Sequence, residues 1–100
     1  MFKYFLTNKA VNDLAKIWNY TVEKWSETQA DNYYFNLLEN CQQLAQVQSL
    51  GKNYDEIGKD IFGYKSGKHI IFYRKRNFYE IEITRILHSS MDLKNRMNDF

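Results

Sequence analysis

Apolar positions recur at spacings of three and four in the first half of the chain, and alternate or run continuously in the second half. Val11, Leu14, Trp18, Val22 and Trp25 form one apolar stripe of an amphipathic helix. On that stripe Trp18 and Trp25 read as core residues. Thr7 suits the N-cap, since its hydroxyl can accept from an otherwise unpaired amide in the first turn. The apolar run at residues 2–6, with Lys3 inside it, predicts a preceding strand. Ser26-Glu27-Thr28-Gln29 has the form of a capping box, which ends the first helix and starts a second. Ala30, Tyr33, Tyr34, Leu37, Leu38, Cys41, Leu44 and Ala45 then keep helical spacing over a wide stripe. Such width suits a helix packed on both a partner helix and a sheet. With almost no linker between them, the two helices are expected to form an antiparallel hairpin.

The helical period ends at Leu50-Gly51, and residues 53–59 read as loop. Asp60 to Ser66 predicts a strand, with Ser66-Gly67 as a turn. Lys68 to Lys75 predicts a second strand, apolar on both parities at Ile70, Ile71, Phe72 and Tyr73. That pattern belongs to a central strand covered on both faces. After a turn at Arg76-Asn77, Tyr79 to Leu87 predicts a third strand with Ile81, Ile83 and Leu87 on one parity. Arg85 shares that parity and breaks it. Either a bulge re-aims it or the end of the face is open to a partner. Ser89, with Asp92 three residues on, reads as the cap of a short last helix running from Met91 to Met97. The expected order is β-α-α-β-β-β-α, an α+β domain with a helical hairpin on a small, mainly antiparallel sheet. The first strand is expected to pair with an edge of the meander.

Residues 1–100 fit one domain, and 44% apolar with 17% aromatic residues can build a packed core. The longest apolar stretch is far shorter than the ~20 residues that span a bilayer, and the N-terminal residues do not have the form of a signal peptide. Cys41, the one cysteine, allows no internal disulfide or cysteine-based zinc site and reads as a buried hydrophobe. A reducing cytoplasm is the natural compartment. Net charge is only +2, but residues 65–76 contain Lys65, Lys68, Arg74, Lys75 and Arg76 and no acid. That segment is a basic-tipped hairpin, either merely solvated or facing an acidic partner or a phosphate backbone.

No glycine-rich phosphate loop, dinucleotide fingerprint, nucleophile elbow or zinc-ligand spacing occurs, and no metal or cofactor is expected. The one catalytic arrangement open to this chain is a minimal ribonuclease. In it His88 would act as acid or base near neutral pH, and Arg74 and Arg85 would hold a phosphate. Against that stands a strand-end histidine bonded to backbone, with the arginines paired to Glu80 or Glu82 across neighbouring strands.

The chain resembles the ParE branch of the ParE/RelE toxin superfamily over nearly its whole length. The helices contribute Leu6-Thr7, Ala10, Asp13-Leu14, Ile17-Trp18, Tyr20-Thr21, Trp25, Gln29-Ala30 and Tyr33. The more specific part is Gly67, His69-Ile70-Ile71-Phe72-Tyr73-Arg74, Ile81-Glu82-Ile83, Arg85-Ile86-Leu87-His88 and Met91-Asp92. The chain departs from the common pattern before Gly51, where a proline is usual and Val47-Gln48-Ser49-Leu50 stands. It lacks a dense RelE-like group of lysines and arginines with a terminal tyrosine, and carries His88-Ser89 where some nuclease relatives have His-Tyr.

The resemblance implies a toxin of a type II toxin–antitoxin pair. Its partner would be a ParD-like antitoxin, or another type with a toxin-wrapping tail. Characterised ParE-like toxins inhibit DNA gyrase by binding, while RelE-like relatives cleave messenger RNA on the ribosome. Inhibition of gyrase without catalysis is therefore the leading expectation, with ribonuclease or an inactive antitoxin binder as alternatives. No direct DNA binding by the toxin alone is expected. Antitoxin contact is expected around Trp18, Trp25 and Tyr33, and target contact at Lys65, Arg74 and Arg85.

Overall fold

A computed structural model describes residues 1–93 of the 100-residue chain. The elements are β1 (Lys3–Leu6), α1 (Asn8–Lys24), α2 (Glu27–Gln46), a 3-10 turn (Gln48–Leu50), β2 (Lys52–Asn53), β3 (Phe62–Ser66), β4 (His69–Asn77) and β5 (Glu80–His88). They form a five-stranded sheet in the order β1-β5-β4-β3-β2. β1 pairs parallel to β5, and the other pairs are antiparallel. The α+β arrangement and the placement of β1 on a meander edge agree with the sequence. β2 was not anticipated, because two residues carry no period. Residues 89–93 form turns and bends. The rest of the expected last helix lies outside the described residues.

Both helix starts follow their capping residues. Thr7 Oγ1 accepts from Ala10 N–H at 3.1 Å, and Ser26 Oγ accepts from Gln29 N–H at 3.0 Å. Each bond satisfies an amide that the helix itself leaves unpaired. The buried face of α1 differs from the predicted stripe. It carries Ala10, Asp13 and Leu14, whereas Val11 and Trp25 are exposed and Trp18 is half-buried. Trp18 and Trp25 are therefore rim residues. The periodicity missed this because Asp13 and Thr21, though polar, find partners in the fold. Thr21 Oγ1 donates to the Ile17 carbonyl at 2.7 Å, and Asp13 meets Arg85.

The helical hairpin covers one face of the sheet. Leu14, Leu37, Cys41 and Leu44 pack there on Ile71, Tyr73, Ile81, Ile83 and Ile86. A second, smaller core lies on the opposite face, where Ile57, Ile61 and Tyr54 cover Ile70, Phe72 and Leu87. β4 contributes to both cores, which is why its sequence is apolar on both parities. Tyr73 ties the sheet to the connection after α2. Its hydroxyl donates to the Gln48 carbonyl at 2.7 Å and accepts from Gly51 N–H at 3.0 Å. A Cβ at Gly51 would press into this ring, 2.7 Å from its Cε1.

The β4–β5 register shifts between Phe72 and Tyr73: Tyr73 faces Ile83 and Phe72 faces Arg85, leaving Thr84 as an extra residue. The bulge reverses the parity of β5, so that Ile81, Ile83 and Ile86 share the helix-side core and Leu87 joins the other. It lies where β1 has ended, and α1 supplies the missing edge partners. Thr7 Oγ1 donates to the Thr84 carbonyl at 2.8 Å, and Ile86 N–H donates to Asp13 Oδ2 at 3.0 Å. Arg85 binds the same carboxylate with two nitrogens, Nε to Oδ2 and an Nη to Oδ1, both at 2.8 Å.

Arg85 and Asp13 are only 8% and 6% exposed. Removing one partner of such a pair leaves an uncompensated buried charge, which costs about 3–5 kcal/mol. Arg85→Met and Asp13→Asn should each lower the free energy of unfolding by that amount in urea titrations, with the slope against urea unchanged. Losses below about 1 kcal/mol would mean that the pair is solvated.

Candidate functional site

α1 and the start of α2 stand apart from the end of the sheet, leaving a cleft of about 710 Å³. Ile17, Tyr20 and Trp25 line its helical wall, with Tyr33 from α2 and Ile86, Leu87 and Met91 from the far side. Trp25 is 67% exposed, so much of the indole is uncovered. Lys16, Lys24 and Lys68 are the cationic members of the lining, and Asp13 is its one carboxylate. That carboxylate already serves Arg85 and Ile86. The cleft therefore has a largely apolar interior and a positive rim.

Its inner end is built by the β3–β4 turn and the end of β5. Gly67 holds φ +61°, and a Cβ there would lie 2.8 Å from the Tyr33 hydroxyl, so glycine is required twice over. Tyr33 organises the turn: its hydroxyl accepts from Lys68 N–H at 3.0 Å and lies 2.7 Å from His69 Nδ1. The same hydroxyl reaches the Ser66 carbonyl at 3.4 Å, so it joins the turn backbone to the His69 ring. Asn40 Nδ2 donates to Ser66 Oγ one residue before the turn. His69 and His88 face each other across β4 and β5, their rings edge to face with centroids 5.3 Å apart. The bulge is what turns His88 to this side. Uninterrupted alternation from Ile81 and Ile83 would have turned it to the opposite face. His88 Nδ1 accepts from Ser90 N–H at 3.1 Å, with Ser90 Oγ at 2.7 Å.

The residues singled out from sequence do not form one group. Trp25 and Tyr33 line the cleft. Trp18 lines a shallower depression of about 450 Å³ with Val11, Tyr34 and Phe35, and its indole donates to Asp31 Oδ1 at 3.0 Å. Lys65 is exposed on β3 opposite Ile70. Arg74 is half-buried on β4 and donates to the Lys59 carbonyl at 3.4 Å. Arg85 is buried against Asp13, so its expected place on a surface with Lys65 and Arg74 is corrected. Of the two explanations for its broken parity, the bulge holds.

The ribonuclease arrangement of His88, Arg74 and Arg85 is likewise not assembled. Arg74 lies five residues along β4 from the partner of His88, about 17 Å of strand. Among the described residues no cluster of histidine, cysteine or carboxylate ligands could hold a metal ion. Sequence reasoning missed His69, Lys16 and Lys24 as lining residues. A hint lay in the i, i+8 spacing of the two lysines beside Tyr20, but two solvated lysines on a helix would read the same.

The family model described as "ParE toxin of type II toxin-antitoxin system, parDE" matches residues 4–93, and the chain belongs to that family. It is 31% identical over 91 residues to "Toxin ParE1" of Mycobacterium tuberculosis, covering 91% of this chain and 93% of that protein. Identity and coverage are the same with "Toxin ParE1" of Caulobacter vibrioides. With "Toxin ParE" of Escherichia coli it is 29% identical over 99 residues, covering 99% and 96%. The fold is also that of a solved chain titled "Chromosomal ParDE TA system from P. aeruginosa", with a TM-score of 0.75, 22% identity, and coverage of 88% and 96%. No helix among the described residues is long and apolar enough to cross a membrane.

Burial, and secondarily the charge of His88, pushes the His69 pKa down to about 4, against a smaller opposing effect of Asp13. The folded value lies below the usual 6.5, so the unfolded chain binds the extra proton between those two values. The stability contributed by a neutral His69 is complete above about pH 6.5 and is lost as pH falls toward about 4. The melting temperature should drop on acidification from pH 7 to 4.5, and drop less in His69→Gln. An NMR titration placing the His69 midpoint at 6 or above would contradict the burial.

Proposed function

We propose that this chain is the toxin of a type II pair, inhibiting DNA gyrase by binding, and that a ParD-like antitoxin neutralises it by laying an amphipathic helix in the cleft. The observation that carries binding over cleavage is the fate of the two arginines. Arg85 is committed to Asp13, and Arg74 lies at the Lys59 carbonyl. Neither is positioned to stabilise a phosphorane beside His88, whose Nδ1 is engaged by Ser90.

Support for the antitoxin seat comes from the cleft itself. An apolar groove of about 710 Å³, walled by Trp25 and Tyr33, suits the helix-in-groove mode of recognition. A second apolar depression lies around Trp18 and Phe35. For the target, the outer sheet face is the best candidate. Lys65 and Arg74 share that face with Ile70 and Phe72, and Arg76 borders it, paired to Glu82 at 3.5 Å. Arginine is the charged residue that most often anchors interfaces. Gyrase is cytoplasmic, so the reading carries that location with it.

The deciding experiment is expression without antitoxin, followed by separate assays of DNA supercoiling and of message integrity. Loss of supercoiling with intact messages is expected. Cleaved messages would establish the ribonuclease reading, and unaffected growth an inactive family member. The Lys65→Ala/Arg74→Ala variant should melt near the wild-type temperature and inhibit supercoiling at least ~10-fold more weakly, one anchor being worth 2 kcal/mol or more. Undiminished inhibition would move the target surface off the outer sheet face.

A further inference from the structure

The inner end of the cleft carries hydrogen-bonding capacity that the fold does not use. In His88 the Nδ1 accepts from the Ser90 N–H, and in His69 the Nδ1 is taken up by the Tyr33 hydroxyl at 2.7 Å. A nitrogen that accepts from a backbone amide holds no proton, so the neutral His88 ring carries its proton on Nε2, and in both rings Nε2 is the edge that the fold leaves open. Among the described residues neither Nε2 has a hydrogen-bond partner. Lys68, whose backbone is fixed by Tyr33, adds an ammonium at the same end. Two imidazole edges and an ammonium thus gather where the one nearby carboxylate, Asp13, already accepts three hydrogen bonds. The walls around them are apolar. A cluster of two imidazoles and an ammonium at the end of an apolar groove suits an anionic group carried on an otherwise apolar segment.

We propose that His69, His88 and Lys68 form a carboxylate-recognition subsite for one aspartate or glutamate of the antitoxin helix seated in the cleft. The inference rests on the reading that the cleft receives the antitoxin. A peptide carboxylate fits better than a nucleic-acid phosphate, because the interior beside the subsite is Ile17, Tyr20, Trp25 and Ile86. A strand of phosphodiesters would need cations along its whole path. Lys16 and Lys24 lie two helical turns apart on the rim, placed to meet further acids on the solvent side of the same helix. The bulge in β5 acquires a role here, since it brings His88 across to His69.

The experiment is a double-mutant cycle by calorimetry. It uses the full chain and its cognate antitoxin, defined as the protein whose co-expression restores growth to cells producing the chain. Each acid in the toxin-binding segment of the antitoxin is changed to its amide. One position is expected to lose roughly 10-fold or more in affinity against the wild-type toxin. That loss should shrink to under about threefold against His88→Gln. The Nε2 imidazole resonances of His69 and His88 should shift on complex formation. His88 is exposed, so His88→Gln tests the subsite even if His69→Gln fails to fold.

If no acid couples to either histidine while Trp25→Ala still weakens the complex, the subsite is wrong and the cleft remains the antitoxin seat. If Trp25→Ala and His88→Gln both bind unchanged, the cleft reading falls and the subsite with it. If a ten-nucleotide RNA shifts the imidazole resonances and the antitoxin does not, the subsite takes phosphate and the proposal is overturned.

Discussion

One carboxylate holds the two halves of this molecule in register. Asp13 receives two nitrogens of Arg85 and the backbone amide of Ile86, at distances between 2.8 and 3.0 Å. Those bonds fall where β5 has outrun β1 and its edge would otherwise be bare. With Thr7 holding the Thr84 carbonyl, α1 takes the place of a strand beside the bulge. Everything downstream of Thr84 takes its facing from that arrangement: Ile86 toward the hairpin, Leu87 toward the second core, His88 toward the cleft. A buried pair is rarely the most stabilising choice compared with hydrophobic packing. Here it fixes which face each residue of the strand end presents.

The cores on either side of β4 explain how so small a domain can leave a large cleft open. A domain of this length buries only somewhat over ~60% of its unfolded surface, so cleft walls left bare are a real loss. The central strand compensates by burying apolar residues on both faces, Ile71 and Tyr73 under the hairpin and Ile70 and Phe72 under the connection after β2. The hairpin can then splay from the end of the sheet, where Trp25 and Tyr33 face the gap.

The cleft and the outer sheet face are chemically different surfaces. The first is apolar inside, with lysines on its rim and donor groups at one end. The second is solvated, with Lys65 exposed, Arg74 half-buried and Arg76 also lying over the Phe5 ring at 4.4 Å. The two surfaces share no side chain named on either. Changes on one can then be read without disturbing the other.

The sequence by itself determined the two helices and the longer strands, because each rests on local physics. Thr7 and Ser26 cap helices within three residues of their partners, and the run Ile70 to Tyr73 identifies a central strand wherever it sits. The family was legible too, since His69 to Arg74 and Arg85 to His88 lie close together along the chain. What only the tertiary structure decided is which residues face each other across the fold. Asp13 and Arg85 are 72 positions apart, and nothing near either one announces the pair. Without that pair Arg85 looked like a surface anchor, and the polar side of α1 looked like its solvent face. Tyr33 and His69 are 36 positions apart, so the cleft's inner end was equally hidden. Periodicity records whether a position is apolar. It does not record that a buried charge has found its counter-charge, and in this chain that long-range pairing set both the buried face of α1 and the composition of the cleft.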